Sequence, residues 1–393
     1  MVSLARLPSS LLADCRYEKR AIAKADVSQL LAKLVAPFLM PLPVIAVATM
    51  RPHGAPRRGP RRYCARFQAL AAHSGELLWT QELQDSVKSC AISPKHTSIV
   101  LGMAGLAQAC CRDIGSGDIV WNFDLGCRGQ PSVAFTPDGS FVSVFISRGD
   151  TPADYHQYAW KLESNSGNLL SEVDLVSAVG GRWEFEAGDY CIATCGGRHI
   201  RIMDTDFVQA LLEVELSLGT FAETVKFAPG EQCAVVGYQS PSYPKGRIRK
   251  IAVQSGETSW DIGLSNGGIN SVSYSQSGHS IAVGSVRDGQ VWRVDADSGD
   301  IILNKIIVAR GTPEHRGTPT DRIVVAYSPS DTSIIVGPED GRVLSLDSES
   351  GEILWQVSRG LVTCIASELD WTCDWLVLSP LSEFIRNNRM HLS

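Results

Sequence analysis

The chain has 393 residues and 11 cysteines, yet no Cys-x-x-Cys pair, so the spacing of a structural zinc site cannot be drawn on it. It also lacks a His-Glu-x-x-His signature and a phosphate-cradling glycine loop, and its one Gly-x-Ser-x-Gly spacing, Gly263 to Gly267, falls among expected strands and not at the strand-to-helix turn of a nucleophile elbow. The most legible protease, nucleotide-hydrolase and esterase chemistries are thereby excluded. His73, His96, His156, His199, His279 and His315 are scattered without metal-ligand spacing. No catalytic residue, cofactor or metal ligand is expected. A long apolar run is missing too. Leu30 to Met50 is interrupted by Lys33, Pro37, Pro41 and Pro43, whereas a membrane helix needs about 20 apolar residues. Met1 to Lys24 holds Asp14, Arg16, Glu18, Lys19 and Arg20 where a secretory signal carries its apolar core. It matches a transit peptide only weakly. The expectation is a chain of the cytoplasm, with the nucleus as the alternative, and without a membrane span.

What charge there is lies unevenly. The whole chain carries 36 basic and 42 acidic residues. Residues 1–65 hold 11 basic and 3 acidic side chains, leaving 25 and 39 for the rest. An acidic body is a poor general ligand for nucleic acid, because phosphate neutralisation needs Lys and Arg. The cysteines fall mostly within expected strands (Cys90, Cys191, Cys195, Cys233, Cys364) and read as free thiols of a reducing compartment.

What is present is a repeat. The phrase Ser-Gly-acid, two apolar residues and often Trp occurs at Ser74 to Trp79, Ser116 to Trp121, Ser255 to Trp260 and Ser350 to Trp355. Ser166 to Leu170 and Ser298 to Ile302 are further copies, and a decayed copy runs from Asp204 to Leu212. Aligned on the Gly, or on Val208 in the decayed copy, the intervals are 42, 50, 41, 48, 43 and 52 residues. Each unit also holds a strand, a Pro/Gly turn and a strand, as in Val133 to Gly139 followed by Phe141 to Val144. A third strand leads into the Ser-Gly turn (Gln290 to Asp295) and a fourth follows it (Ile301 to Leu303). Four strands every forty-odd residues make one propeller blade.

These phrases resemble known families. The Phe-x-Pro-Asp-Gly-like turns and Val291-Trp292-Arg293-Val294-Asp295 resemble WD40 repeats, and the Ser-Gly-Glu-x-x-Trp phrase is similar to the tryptophan-docking repeat of quinoproteins. Trp-Asp occurs only at Trp260-Asp261 and Gly-His only at Gly278-His279, so the full WD40 pattern does not recur blade by blade and the hydrogen-bond network it carries is not assumed. The resemblance implies an all-β fold: a seven-bladed β-propeller of four-stranded antiparallel blades. The recurring Trp79, Trp121, Trp260 and Trp355 are expected to pack between neighbouring blades.

Three segments follow. Residues 1–62 form a basic extension with a short helix over Val27 to Leu34 and a Pro/Gly/Arg linker from Arg51 to Arg62. That linker reads as a solvated tether, with a nuclear-import signal or an acidic-partner contact as alternatives. Residues 63–380 hold the propeller, and 381–393 a tail. Ala65 to Ala71 is the spare outer strand expected to pair with the last blade and close the ring. Leu381 to Arg389 is the rival for that place.

The long intervals alternate with short ones, and the extra residues fall at Ser147 to Gln157, Tyr238 to Arg247 and Ala309 to Arg322. The first two are read as joining a third strand to an outer one, the last as joining an inner strand to the second. On that reading all three emerge on one face. Their Arg148, Tyr155, His156, Tyr238, Tyr243, Arg247, Arg310, His315, Arg316 and Arg322 form a candidate basic and aromatic patch for a protein partner. The alternative is that loops collect polar residues because they are wet. The expected function is a non-catalytic interaction scaffold, as WD40-like propellers usually provide. A quinoprotein-like redox enzyme is a second reading, suggested by the docking phrase and by the adjacent Cys110 and Cys111. The sensor arm of a larger assembly, tethered by the basic extension, is a third.

Overall fold

The computed structural model describes residues 44–367, apart from 54–61, 84, 95–96, 127–128, 137, 149–155, 175–184, 188–190, 195–198, 204–209, 231, 308–321, 339 and 359–360. The chain divides into Met1–Leu42, outside the described residues, and Pro43–Ser393. The expected helix over 27–34, the rival closing strand 381–389 and the C-terminal tail all lie outside the described residues.

Among the described residues, 28 strands form seven four-stranded antiparallel sheets. Blade I holds β1 (Val44–His53), β2 (Arg62–Ala71) and β3 (Leu77–Leu83). Blade II holds β4 (Val87–Ile92), β5 (Ser98–Met103), β6 (Gln108–Asp113) and β7 (Ile119–Asp124). Blade III holds β8 (Ser132–Phe135), β9 (Phe141–Arg148), β10 (His156–Glu163) and β11 (Leu169–Asp174). Blade IV holds β12 (Phe185–Ala187), β13 (Cys191–Thr194), β14 (His199–Met203) and β15 (Ala210–Glu215). Blade V holds β16 (Phe221–Phe227), β17 (Cys233–Gln239), β18 (Gly246–Ala252) and β19 (Thr258–Ser265). Blade VI holds β20 (Ile269–Tyr274), β21 (Ser280–Ser285), β22 (Gln290–Asp295) and β23 (Ile301–Ile306). Blade VII holds β24 (Ile323–Tyr327), β25 (Ser333–Pro338), β26 (Arg342–Asp347) and β27 (Ile353–Ser358), after which β28 (Leu361–Ser367) returns to blade I. The first strand of each sheet touches that of the next, in the cyclic order β28, β4, β8, β12, β16, β20, β24.

Closure differs from the expectation. Ala65 to Ala71 lies inside β2, paired on one side with β1 and on the other with β3, so it has no free edge to offer. The closing contact is β1 with β28, where Val47 faces Ile365 and Ala48 faces Cys364. The propeller therefore starts at Val44, inside the stretch assigned to the extension, and Arg51 to His53 of the supposed linker belong to β1. Val44 to Thr49 is an Ile/Val/Ala/Thr run suited to a strand. The surrounding prolines disguised it, but Pro41 and Pro43 precede the strand and Pro52 sits near its end, where a missing N–H costs little.

The sheets are stacked face to face, so the second strands read as continuous apolar runs, because both of their faces are covered. Ile281, Ala282 and Val283 in β21 are fully buried, as are Ile334, Ile335 and Val336 in β25. Apolar clusters form between sheets. Phe67, Val87, Leu101 and Cys110 join blades I and II, while Ile45, Leu70, Ile335 and Val343 join I and VII.

The repeated phrase is the device that docks one blade on the next. In each described copy the Gly has positive φ, from 68° at Gly75 and Gly351 to 80° at Gly299, which an L side chain resists. Its N–H donates to the carbonyl four residues back, as Gly117 does to Asp113 at 2.9 Å. The Ser hydroxyl accepts the N–H of the following acid or Asn, at 3.1 Å from Asn168 and 3.2 Å from Asp118. Four residues after the Gly, the Trp of one blade lies over the Gly of the next. Its indole N–H donates to the carbonyl three residues before that Gly. The four bonds are Trp79 to Ile114 at 2.7 Å, Trp121 to Ser164 at 2.8 Å, Trp260 to Ala296 at 3.1 Å and Trp355 to Ala72 at 3.1 Å. A Cβ on Gly75 would meet Trp355 at 2.6 Å, and one on Gly167 would meet Trp121 at 2.6 Å. Where the Trp is replaced, Leu212 covers Gly256 and Leu303 covers Gly351. Just before the Trp position each outer strand carries a β-bulge, as between Ala69 and Leu70 in their pairing with β3. Such bulges twist an edge strand away from further pairing.

Trp121→Ala should lower stability by about 3 kcal/mol, the low end for a large buried aromatic. Trp121→Leu should recover roughly half, because blades IV and VI already dock with Leu. Chemical denaturation of the three proteins checks the order.

Candidate functional site: the loop-bearing face

In a four-stranded antiparallel blade, two kinds of connection emerge on each face. The Pro/Gly turns between first and second strands and the Ser-Gly turns between third and outer strands occupy one. The opposite face carries the second-to-third connections and the crossings to the next blade. The long segments at 147–157 and 238–247 join second to third strands, and 309–322 joins the outer strand β23 to β24. The sequence reading placed them one connection too far along. They still share one face, and it is the face opposite the Ser-Gly turns.

The ten residues expected on that face divide. Arg148 and His156 end β9 and begin β10, opposite each other in register, with side chains outside the described set. Tyr155, Arg310, His315 and Arg316 lie outside the described residues. Arg322 is half-buried immediately before β24. Tyr243 is 75% exposed. Tyr238 is corrected: it is only 3% exposed, sits in the cluster between blades IV and V and presents no surface. A tyrosine ending a strand is pulled inward when its hydroxyl finds a buried partner.

That partner is Asp261 on β19. The Tyr238 hydroxyl reaches Asp261 Oδ1 at 2.7 Å and Oδ2 at 2.6 Å. Arg247 Nε donates to Oδ1 at 3.0 Å and Arg249 Nε to Oδ2 at 2.8 Å, both from β18. The Arg249 guanidinium also stands 5.5 Å from the Tyr238 ring centroid. Two guanidinium groups thus share one carboxylate. Arg249 and Asp261 are register partners, so the sheet itself brings them together. Burial, with the Asp261 carboxylate second, pushes the Tyr238 phenol above its ordinary range.

Above this cluster lies a ledge. The β17–β18 connection runs Ser240 to Lys245 with Tyr243 exposed and a cis Tyr243–Pro244 bond. Pro244 and the Arg247 guanidinium both cover Gly263, where a Cβ would meet Pro244 Cγ at 2.1 Å and Arg247 Nη1 at 3.2 Å. The crossing from β15 to β16 brings Gly219 against Pro241, at 3.5 Å from a Cβ placed there. Leu218, in that crossing, is 80% exposed, and Phe221, the first residue of β16, is 52% exposed. The sequence reading missed Leu218, Phe221, Arg249 and Asp261. The only available signal was a short turn, Ser217-Leu218-Gly219-Thr220, with a large apolar side chain in it.

The redox reading rested partly on Cys110 and Cys111. Both thiols are free, and adjacent residues of β6 point to opposite sides. Cys110 packs between blades I and II and Cys111 between II and III. Burial pushes Cys111 up to about 11 and Cys110 in the same direction. Among the described residues, no group of three His, Cys, Asp or Glu is arranged to hold a metal. No helix among them is long and apolar enough to cross a membrane.

Comparison with known proteins agrees with this architecture. Residues 244–374 match a family described as outer membrane protein assembly factor BamB. No curated protein matches the chain. Among solved structures, hydrazine synthase of Kuenenia stuttgartiensis is similar over 71% of this chain and 89% of that one, at 14% identity and a TM-score of 0.57. The likeness is one of fold.

The buried acids set an alkaline limit. A group whose folded pKa is raised contributes stability in full below its unfolded value and loses it as pH rises through the folded one. For Cys111 that window runs from 9.0 to about 11. Tyr327, which burial pushes up to about 12, extends the loss upward. Thermal unfolding measured from pH 7 to 11 should show a level stability below pH 9 and a fall above it. Cys111→Ala should flatten the first part of that fall.

Proposed function

We propose that this chain is a seven-bladed, WD40-like platform without chemistry of its own, which binds a protein partner across its loop-bearing face. The observation that carries the reading is the ledge on blade V. Leu218, Phe221 and Tyr243 each expose large apolar surface, and the approach of Gly219 to Pro241 brings the crossing of the first two to the connection that carries the third. Single exposed apolar residues are ordinary, but a contiguous group on a polar rim marks an interaction surface. The support beneath is rigid, because Pro244 rests on Gly263 and the Tyr238–Asp261–Arg247 cluster ties three strands together. A preorganised surface loses little entropy on binding. The BamB match is consistent with a propeller used in assembly. The expected propeller remains a poor nucleic-acid ligand on its charge.

The test is affinity capture with the full chain, followed by cross-linking of the captured complex and mapping of the linked peptides. The proposal expects links and protection at Ser217 to Thr220 and Ser240 to Lys245, lost in a Leu218→Ser, Tyr243→Ala double variant. A partner linked only through the Ser-Gly turns would refute the face, and absence of any discrete partner would refute the platform.

A further inference from the structure

Resting on that reading of the loop-bearing face, we propose that the blade V ledge selects an acidic peptide segment carrying a large apolar side chain. The charges around the ledge determine the sign. Arg247 and Arg249 share the single carboxylate of Asp261, whose oxygens are already engaged by both guanidinium groups and by the Tyr238 hydroxyl. One positive charge is left over. Lys245 adds a second, exposed at the end of the Tyr243 connection. Glu223, on β16, is the carboxylate on the opposite, inner-strand side, lying against Gly268 at 3.1 Å from a Cβ placed there. The β17–β18 side of the ledge, beneath Tyr243, is therefore cationic, with the exposed Glu215 on the β15 side before Leu218, on a body whose residues beyond 65 are acidic in balance.

The guanidinium of Arg247 is the link between charge and apolar surface. Its Nη1 sits beside Pro244 over Gly263, under the connection that presents Tyr243. A ligand carboxylate approaching there meets Arg247, Arg249 and Lys245, while its apolar neighbour covers Tyr243, Leu218 and Phe221. Partly desolvated Arg–carboxylate pairs are strong and directional. Apolar contact supplies the affinity and charge the choice of partner. A basic partner would be repelled by these charges, and nucleic-acid phosphates would be attracted, but the apolar ledge gives them nothing to cover.

The experiment is selection of a displayed library of short random peptides against the full-length protein. The expected result is enrichment of peptides with two or more Asp or Glu beside an aromatic or long aliphatic residue. Synthetic copies should bind about tenfold more weakly to Tyr243→Ala and to Lys245→Glu, and Lys245→Glu should also reduce the salt dependence. Both positions are exposed, so thermal unfolding should be unchanged. Leu354→Ser, on the outer strand beside the Ser-Gly turns, is the control and should bind as wild type. Enriched peptides that are neutral or basic, or acidic peptides unaffected by both ledge variants, would overturn the ledge while leaving the platform standing. Loss of binding in Leu354→Ser instead would overturn the loop-bearing face itself, and no enrichment at all would overturn the ledge as a peptide site.

Discussion

Four of the seven blade junctions are held by an indole laid over a glycine, and Leu takes the place of the indole at two more. A blade of four strands cannot bury both of its faces alone, so it is stable only against its neighbours. The Trp of one blade lies on the Gly of the next and donates its N–H to the carbonyl three residues upstream of that Gly. Two requirements meet at one residue: the turn needs positive φ, and the ring needs the space a Cβ would occupy. The contact from Trp355 to Ala72 and Gly75 spans 283 residues, and with β28 on β1 it joins the two ends of the propeller.

That closure also fixes the strands beneath the loop-bearing face. Second-to-third connections and inter-blade crossings emerge from strands whose own positions are fixed by docking on both sides. On blade V the register of β17, β18 and β19 brings Tyr238, Arg247, Arg249 and Asp261 into one cluster. The cluster in turn holds the connection that carries Tyr243. The ledge is thus a consequence of strand pairing, and its cationic character follows from two guanidinium groups meeting one carboxylate.

Much of this was legible in the sequence, for a physical reason. The turn chemistry is strict, so Ser-Gly survives in six of the copies, followed by an acid in five and by Asn168 in the other, and the repeat interval follows from it. Trp packing between blades was legible because the Trp stands at a fixed distance from that turn. Closure was not. Val44 to His53 looked like part of a broken apolar run and a linker, since Pro41, Pro43 and Pro52 obscure a strand whose partner is more than three hundred residues away in the chain. The inward turn of Tyr238 was hidden because it depends on Asp261, a cross-sheet neighbour that spacing does not reveal. Leu218 and Phe221 were overlooked because an apolar residue announces burial in a sequence, and only the fold shows these two uncovered. The connection types were shifted because an insertion marks a loop without saying which pair of strands it joins.

Hydrogen exchange of the full-length chain, comparing wild type with Trp355→Ala, tests the closure most directly. The account predicts that the variant loses amide protection on both sides of the seam, in Leu361 to Ser367 and in Val44 to Ala71, while blades III to VI keep theirs. Unchanged protection in β28 and β1, with loss confined to β27, would show that the ring is not held shut by this contact.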